Sequence, residues 1–137
     1  MDTRIARPFV GLLALAVLGC EDPLANGPVP LGIWGGEGIH LEVTPTGAEA
    51  EFDCAAGTID MPLNAVNGRF DAEGTFTLGH GGPIVEDEVP DTRPARYIGH
   101  LSGRTLQLEV RFEGLIAGDP PTFVLKRGDP GVLRRCL

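Results

Sequence analysis

The sequence lacks the patterns on which assignments of catalysis or nucleic-acid binding usually rest. Serine occurs once, at Ser102, in a predicted hairpin turn and outside any nucleophile-elbow pattern. The glycine-rich pieces precede predicted strands rather than helices, which argues against a phosphate-binding loop. Acidic groups outnumber basic ones by 19 to 11, a net charge of −8, and an acidic surface repels nucleic acid. No catalytic residue, nucleic-acid partner or cofactor is expected.

The spacing of ligands in common metal sites is also missing. His40, His80 and His100 are far apart in sequence, and none has a Cys or carboxylate at metal-ligand spacing. The long irregular segment 79–94 holds four carboxylates: Glu86, Asp87, Glu88 and Asp91. They lack the spacing of a calcium-binding loop. We expect solvated histidines, a solvated acidic loop at one end of the fold, and no metal.

The apolar run near the start of the chain is too short to be a permanent membrane span. It extends from Phe9 to Gly19, about half of the ~20 residues that such a helix needs. Arg4 and Arg7 precede it. A charged start, a short apolar stretch and a small residue at its end are typical of a secretory signal peptide. We therefore expect residues 1–19 to form a signal-peptide helix.

Val17-Leu18-Gly19-Cys20 ends this run. The four residues resemble the lipobox of bacterial lipoproteins: a branched apolar residue, a variable one, a small one, then Cys. The resemblance implies cleavage before Cys20, a diacylglycerol thioether on its sulfur, and usually a further acyl chain on the new amino terminus. Several acyl chains anchor a protein stably, because each buried methylene contributes ~0.8 kcal/mol. The implied location is the bacterial cell envelope, at either the inner or the outer membrane, with the membrane as partner.

Removing 19 of the 137 residues leaves 118, with 9 basic and 18 acidic groups, because Asp2, Arg4 and Arg7 are lost. This length fits one domain with a single core. Segment 20–31 contains three prolines and a glycine, which predicts a flexible tether behind the acylated cysteine.

The folded domain is expected over residues 32–137. Two cysteines remain beyond the anchor, Cys54 and Cys136, and an oxidising compartment favours a disulfide between them.

Polar and apolar residues alternate almost throughout 32–137, and turn residues recur about every ten positions. The predicted turns include Pro45-Thr46-Gly47, Ala56-Gly57 and Asn67-Gly68. Period two with regular turns predicts an all-β domain of seven or eight short antiparallel strands. One apolar face per strand indicates a single buried side, as in a closed barrel or a two-sheet β-sandwich.

An up-and-down barrel is favoured over the sandwich, because few connections are long enough to cross over. The large residues placed inside it are Phe52, Met61, Phe70, Phe76, Tyr97, Leu106, Leu108, Phe112 and Phe123. An eight-stranded barrel can be just filled by its own side chains.

Gly32-Ile33-Trp34 stands where the first strand of the domain is expected. A Gly-x-Trp at this place resembles the lipocalins and their wider relatives, the avidin-like and fatty-acid-binding barrels. The resemblance implies that Trp34 closes one barrel end. A basic residue near the last strand would pack across it by a cation–π contact, with Arg127 the candidate among Lys126, Arg134 and Arg135.

Two functions remain open for such a barrel. The first is a non-catalytic structural or interaction barrel, filled with its own side chains and partnered by another envelope protein. The alternative is a lipocalin-like binder of a small apolar or amphipathic ligand.

Overall fold

A computed structural model of the chain describes residues 25–114 and 118–136, together with residues 11, 13, 14, 16 and 19. These residues form ten strands: β1 (Gly27–Pro28), β2 (Gly32–Gly36), β3 (Ile39–Thr44), β4 (Gly47–Phe52), β5 (Ala55–Ile59), β6 (Asn64–Ala65), β7 (Arg69–Leu78), β8 (Asp91–Ser102), β9 (Thr105–Phe112) and β10 (Thr122–Arg127). Within the part of the chain that is described, no helix is long and apolar enough to span a membrane.

Eight of the strands form a closed antiparallel barrel in the order β10-β2-β3-β4-β5-β7-β8-β9. Each barrel strand pairs with the next barrel strand along the chain. The barrel is closed at the seam between β10 and β2, where Lys126 and Arg127 pair with Gly35 and Trp34. The short strands β1 and β6 form a separate two-stranded ribbon. The predicted all-β, up-and-down barrel is confirmed, in preference to the sandwich.

Large apolar side chains fill the interior of the barrel. The largest fully buried side chains are Val29, Trp34, Ile39, Leu41, Tyr97, Leu106, Leu108, Val110 and Leu125. Alternation holds along most strands, as in β3 and β9, which present one face to this core and the other to solvent. In β2 and β8 it is interrupted by consecutive buried residues, Trp34-Gly35 and Tyr97-Ile98-Gly99. The core therefore follows directly from the period-two pattern.

Most residues predicted to lie inside are buried, with one clear error. Met61 is 42% exposed, because β5 ends at Ile59 and Met61 falls in the connection to β6. Apolar residues at 59, 61 and 63 continue the alternation past the end of the strand. Phe112 and Phe123 are only half-buried, at one end of the barrel.

Two of the three predicted turns are correct and one is wrong. Pro45 and Thr46 form the β3–β4 turn, and Gly47 begins β4. Asn67 and Gly68 form a turn with φ angles of 52° and 73°, the left-handed pair that favours Asn-Gly. Ala56-Gly57, by contrast, lies inside β5, and the preceding turn is at Asp53-Cys54. Gly57 pairs with Ala50 of β4 and Phe76 of β7, and the Tyr97 hydroxyl occupies the space that a Cβ there would need, which favours glycine at this strand position.

The two ends of the barrel differ. We call one end the base; it carries the β3–β4, β5–β7 and β8–β9 connections. The chain enters here, and Val29 donates a 2.9 Å hydrogen bond to the Leu63 carbonyl while both side chains are buried. Gly27 to Leu31 thus pack on the barrel, although they belong to segment 20–31, which the sequence predicts to be a flexible tether.

We call the opposite end the mouth; it carries the β2–β3, β4–β5, β7–β8 and β9–β10 connections. After β10 the chain reverses and runs to this end, where Val132 pairs in parallel with Glu37. The predicted disulfide is present between Cys136 and Cys54, whose Cα atoms are 5.0 Å apart. It fastens the end of the chain to the β4–β5 turn, beside the mouth.

Candidate functional site

Four phenylalanines surround the mouth: Phe52, Phe76, Phe112 and Phe123. The Phe52 ring packs at a tilt against Phe76 and Phe123, with centroids 5.3 and 5.2 Å apart. Phe76 stacks on Phe112 with centroids 4.3 Å apart and planes only 3° from parallel. They come from β4, β7, β9 and β10, each near the strand end at the mouth, so the meander brings together rings distant in sequence.

These rings line a cavity of about 390 Å³ that opens at the mouth. The residues lining it are Gly38, Phe52, Asp53, Cys54, Ala55, Phe76, Leu78, Gly79, Phe112, Pro121 and Phe123. The volume lies in the lower part of the range of small-molecule sites, which are mostly apolar with a few polar groups. The cavity therefore has the size and the wall of a site for a small apolar compound.

The rim of the mouth is strongly acidic. The connections at this side, the first residues of β8 and the described end of the chain carry eight carboxylates and three arginines: Glu37, Asp53, Glu86, Asp87, Glu88, Asp91, Glu113, Asp119, Arg93, Arg134 and Arg135. Two of these arginines form ion pairs, Arg93 with Asp91 at 3.1 Å and Arg134 with Glu37 at 2.7 Å. An excess of negative charge therefore surrounds the aromatic cavity.

Asp53 is the carboxylate that reaches the cavity wall. Its Oδ1 accepts a 2.6 Å hydrogen bond from the Arg134 backbone N–H, which holds the chain end against the β4–β5 turn. The adjacent Cys54 adopts a φ of 59° and is bonded to Cys136. The disulfide thus fixes the part of the wall that carries this charge.

The long β7–β8 connection, residues 79–90, forms one side of the mouth and lines a second cavity of about 330 Å³. Here His80 Nε2 lies 2.6 Å from Glu88 Oε1, and Nδ1 donates to the Gly81 carbonyl at 2.9 Å. The carbonyl of Gly81 and then the charge of Glu88 raise the pKa of His80. Ile84 and Val89 of the same connection are 89% and 86% exposed.

The other two histidines lie apart from the mouth cavity. His40 Nδ1 donates to the Pro130 carbonyl at 2.7 Å, while His100 is exposed on the outer wall. Over the described residues, no group of three or more His, Cys, Asp or Glu side chains is arranged to hold a metal ion.

Trp34 and Arg127 are brought into register on paired strands. Trp34 is fully buried, and its indole Nε1 donates a 3.0 Å hydrogen bond to the Pro30 carbonyl at the base. Arg127 ends β10 and is exposed. Their role in closing a barrel end stays a prediction, and Cys20 lies outside the described residues.

A larger hollow, of about 510 Å³, is an open groove on the outer wall. Four charged residues line it together with four uncharged ones: Glu73, Arg96, Arg111, Glu113, Gly74, Pro94, Ala95 and Phe112. Its two arginines are in ion pairs, Arg96 with Asp71 at 2.6 Å and Arg111 with Glu109 at 2.9 Å. Exposed ion pairs of this kind contribute little and are typical of a solvated surface. The mouth is the better candidate site.

The sequence placed the four phenylalanines in the core and gave no indication that they surround an open cavity. Their position next to loops could have indicated the cavity, because each phenylalanine lies within two residues of a strand end at the mouth. No protein-family model, curated protein or solved structure matches the chain. The function is therefore inferred from the geometry of the mouth and the base.

Proposed function

We propose that this chain is a lipid-anchored bacterial envelope protein with a non-catalytic role, in which a rigid barrel presents its mouth to an envelope partner. The observation that carries this proposal is the filled interior: nine large side chains, Trp34 and Tyr97 among them, are fully buried. A barrel packed in this way is a scaffold rather than a deep container, because an eight-stranded barrel has little room beyond its own side chains.

The point at which the chain enters the barrel supports an orientation. Cys20 precedes Gly27 by seven residues, which span at most ~25 Å when fully extended. Gly27 lies at the base, paired with Ala65. An acylated Cys20 would therefore hold the base close to the lipid surface and leave the mouth facing away from it.

The surface of the base supports the same orientation. Leu31, Met61 and Val66 are exposed at this end and would add apolar contact with the lipid surface. Arg69, Arg104 and Arg127 also lie there, and anionic headgroups attract basic side chains near the surface. Carboxylates such as Asp60 and Asp71 lie at the same end, so its charge is mixed and the apolar residues carry the argument.

A second function is favoured by one observation, the aromatic cavity at the mouth. In this reading the partner is a small apolar or amphipathic ligand. It would bind between the four phenylalanines rather than in the filled interior. The two functions share the anchor and the orientation and differ in what the mouth contacts.

The anchor is tested by Cys20→Ala in the native host. The wild-type protein is expected in the membrane fraction, with a mass that includes the acyl groups and with processing blocked by globomycin. Cys20→Ala is expected to lose both the acyl mass and membrane retention. Unchanged mass and retention in the variant, or globomycin-insensitive cleavage at another site, would overturn the proposal.

The choice between the two functions is tested on protein purified from the same host. Cross-linking from the mouth to a single envelope protein supports the interaction role. A co-purifying small molecule, found by native mass spectrometry and organic extraction, supports the ligand-binding role.

A further inference from the structure

We propose that the mouth cavity selects small cationic compounds with an aromatic or other flat apolar body. The inference rests on the second function proposed above, ligand binding at the mouth, and names the class of ligand. Two features of the site support the inference: an aromatic wall and a negatively charged rim. Each makes a separate contribution that can be measured.

The wall accounts for the apolar part of the ligand. Phe112 and Phe123 are half-buried, so their rings remain partly accessible to a molecule in the cavity. Phe52 and Phe76 close the floor beneath them, each about 7% exposed. A flat apolar body entering this space removes ring surface from water on both partners and gains stacking contacts.

The same rings favour a positive charge. The face of a phenylalanine ring carries negative electrostatic potential, which attracts an ammonium group within about 6 Å of the ring centre. An ammonium group on the ligand would lie near the accessible parts of the Phe112 and Phe123 rings. The rings give a carboxylate no comparable stabilisation.

Asp53 and the rim add a longer-range preference of the same sign. Among the described residues that line the cavity, Asp53 is the one with an acidic side chain, since Cys54 is in the disulfide. Arg93 and Arg134 would otherwise favour anions. Arg93 forms an ion pair with Asp91, and Arg134 forms one with Glu37, so that each positive charge is offset. The excess of carboxylates on the rim therefore attracts cations and repels anions, more strongly at low ionic strength.

The experiment compares three probes that share one naphthyl body and differ in charge. They are (2-naphthylmethyl)trimethylammonium, 2-naphthylmethanol and 2-naphthylacetate. The protein is the chain from residue 20 with Cys20→Ala. It contains every described strand of the barrel and both disulfide cysteines. Affinities are measured by calorimetry at two salt concentrations, with circular dichroism as a check on folding.

The cationic probe is expected to bind about tenfold more tightly than the carboxylate at low salt, with the alcohol between them. The difference between the charged probes is expected to shrink as salt is added. Equal affinities, or tighter binding of the carboxylate, would overturn the selectivity while leaving the cavity as a site. Failure of all three probes to bind would overturn the ligand-binding function, and the lipid-anchored interaction role would stand.

Three variants test whether the probes bind in the mouth cavity and whether Asp53 causes the preference for the cation. Asp53→Asn keeps the acceptor for the Arg134 N–H and removes the charge, so it is expected to reduce the preference for the cation several-fold. Glu49→Gln removes the same charge from the exposed outer wall of β4 and is the matched control. Phe123→Ala is expected to weaken all three probes. Equal effects of Asp53→Asn and Glu49→Gln, or none from Phe123→Ala, would place the binding elsewhere and overturn the proposal.

Discussion

The hydroxyl of Tyr97 donates a 2.7 Å hydrogen bond to the Thr75 carbonyl and fills the space in which a side chain at Gly57 would lie. Tyr97 is fully buried on β8, whereas Gly57 lies on β5, across β7. A glycine at this place in the strand thus makes room for the polar end of the tyrosine. The packing of the barrel depends on this pair.

Gly57→Ala is expected to lower the free energy of unfolding by about 1–3 kcal/mol, because the new methyl group overlaps the hydroxyl. Tyr97→Phe is expected to cost about 1 kcal/mol through the lost hydrogen bond. The double variant should cost less than the sum, since phenylalanine lacks the oxygen that overlaps the new methyl group most, although the Thr75 carbonyl oxygen stays close to it. Urea unfolding followed by Trp34 fluorescence measures all three. Strict additivity would show that the overlap is relieved elsewhere.

The burial of Tyr97 also predicts how the stability of the protein changes at alkaline pH. Removal from water raises the pKa of its phenol well above the ordinary value of 10.0. The folded state therefore holds the proton more tightly than the unfolded state. The resulting stability is complete below pH 10 and is lost as pH rises above it.

The chain contains a single tyrosine, so phenolate absorbance reports on Tyr97 alone. We expect the absorbance to rise only together with unfolding, and Tyr97→Phe to flatten the decline in stability above pH 10. A reversible titration near pH 10 in the folded protein would contradict this prediction.

The Cys54–Cys136 disulfide closes a sequence separation of 82 residues. In the chain-entropy account its loss lowers the free energy of unfolding by about 4 kcal/mol. We expect this cost for the double variant Cys54→Ala/Cys136→Ala, measured by urea unfolding. Arg134→Ala is the control, because it removes an exposed ion pair from the same chain end and should cost under ~1 kcal/mol. Two reactive thiols at these positions in the native protein would contradict the pairing.

His80 gives the mouth a pH-dependent contact. Its pKa is raised by the Gly81 carbonyl first and by Glu88 next, so the contact is complete below pH 6.5 and is lost as pH rises through the folded-state pKa. NMR titration of the imidazole is expected to give a midpoint above 6.5. Glu88→Gln should lower that midpoint, while Glu86→Gln, on the same connection, should change it little. Equal shifts in both variants would indicate the general charge of the loop rather than the specific pair.

Much of the barrel could be predicted from residue order, because alternation is a local property. The Asn67-Gly68 turn is equally local, since its conformation needs only those two residues. Gly57 could not be placed in the same way. Glycine occurs in turns and at crowded strand positions alike, and the neighbour that decides between them, Tyr97, is distant in sequence.

The cavity at the mouth could not be predicted from the sequence, for a related reason. Alternation tells which face of a strand is turned inward, but it does not tell how far along the barrel a residue lies. Phe70 and Phe76 are both inward-facing residues of β7, yet Phe76 lines the mouth cavity, whereas Phe70 lies toward the base and covers Gly99 of β8. Register across all eight strands is needed to separate them. The disulfide, by contrast, followed from there being only two candidates once Cys20 was set aside.

The pairing of β10 with β2 at the seam affects how the barrel assembles. Because the first and last described barrel strands are neighbours, the described residues before β10 form only a seven-stranded open sheet, with β2 and β9 as unpaired edges. Unpaired edges are prone to associate with other chains. A chain in which β10 has not yet paired with both edges therefore remains exposed to aggregation and to chaperones.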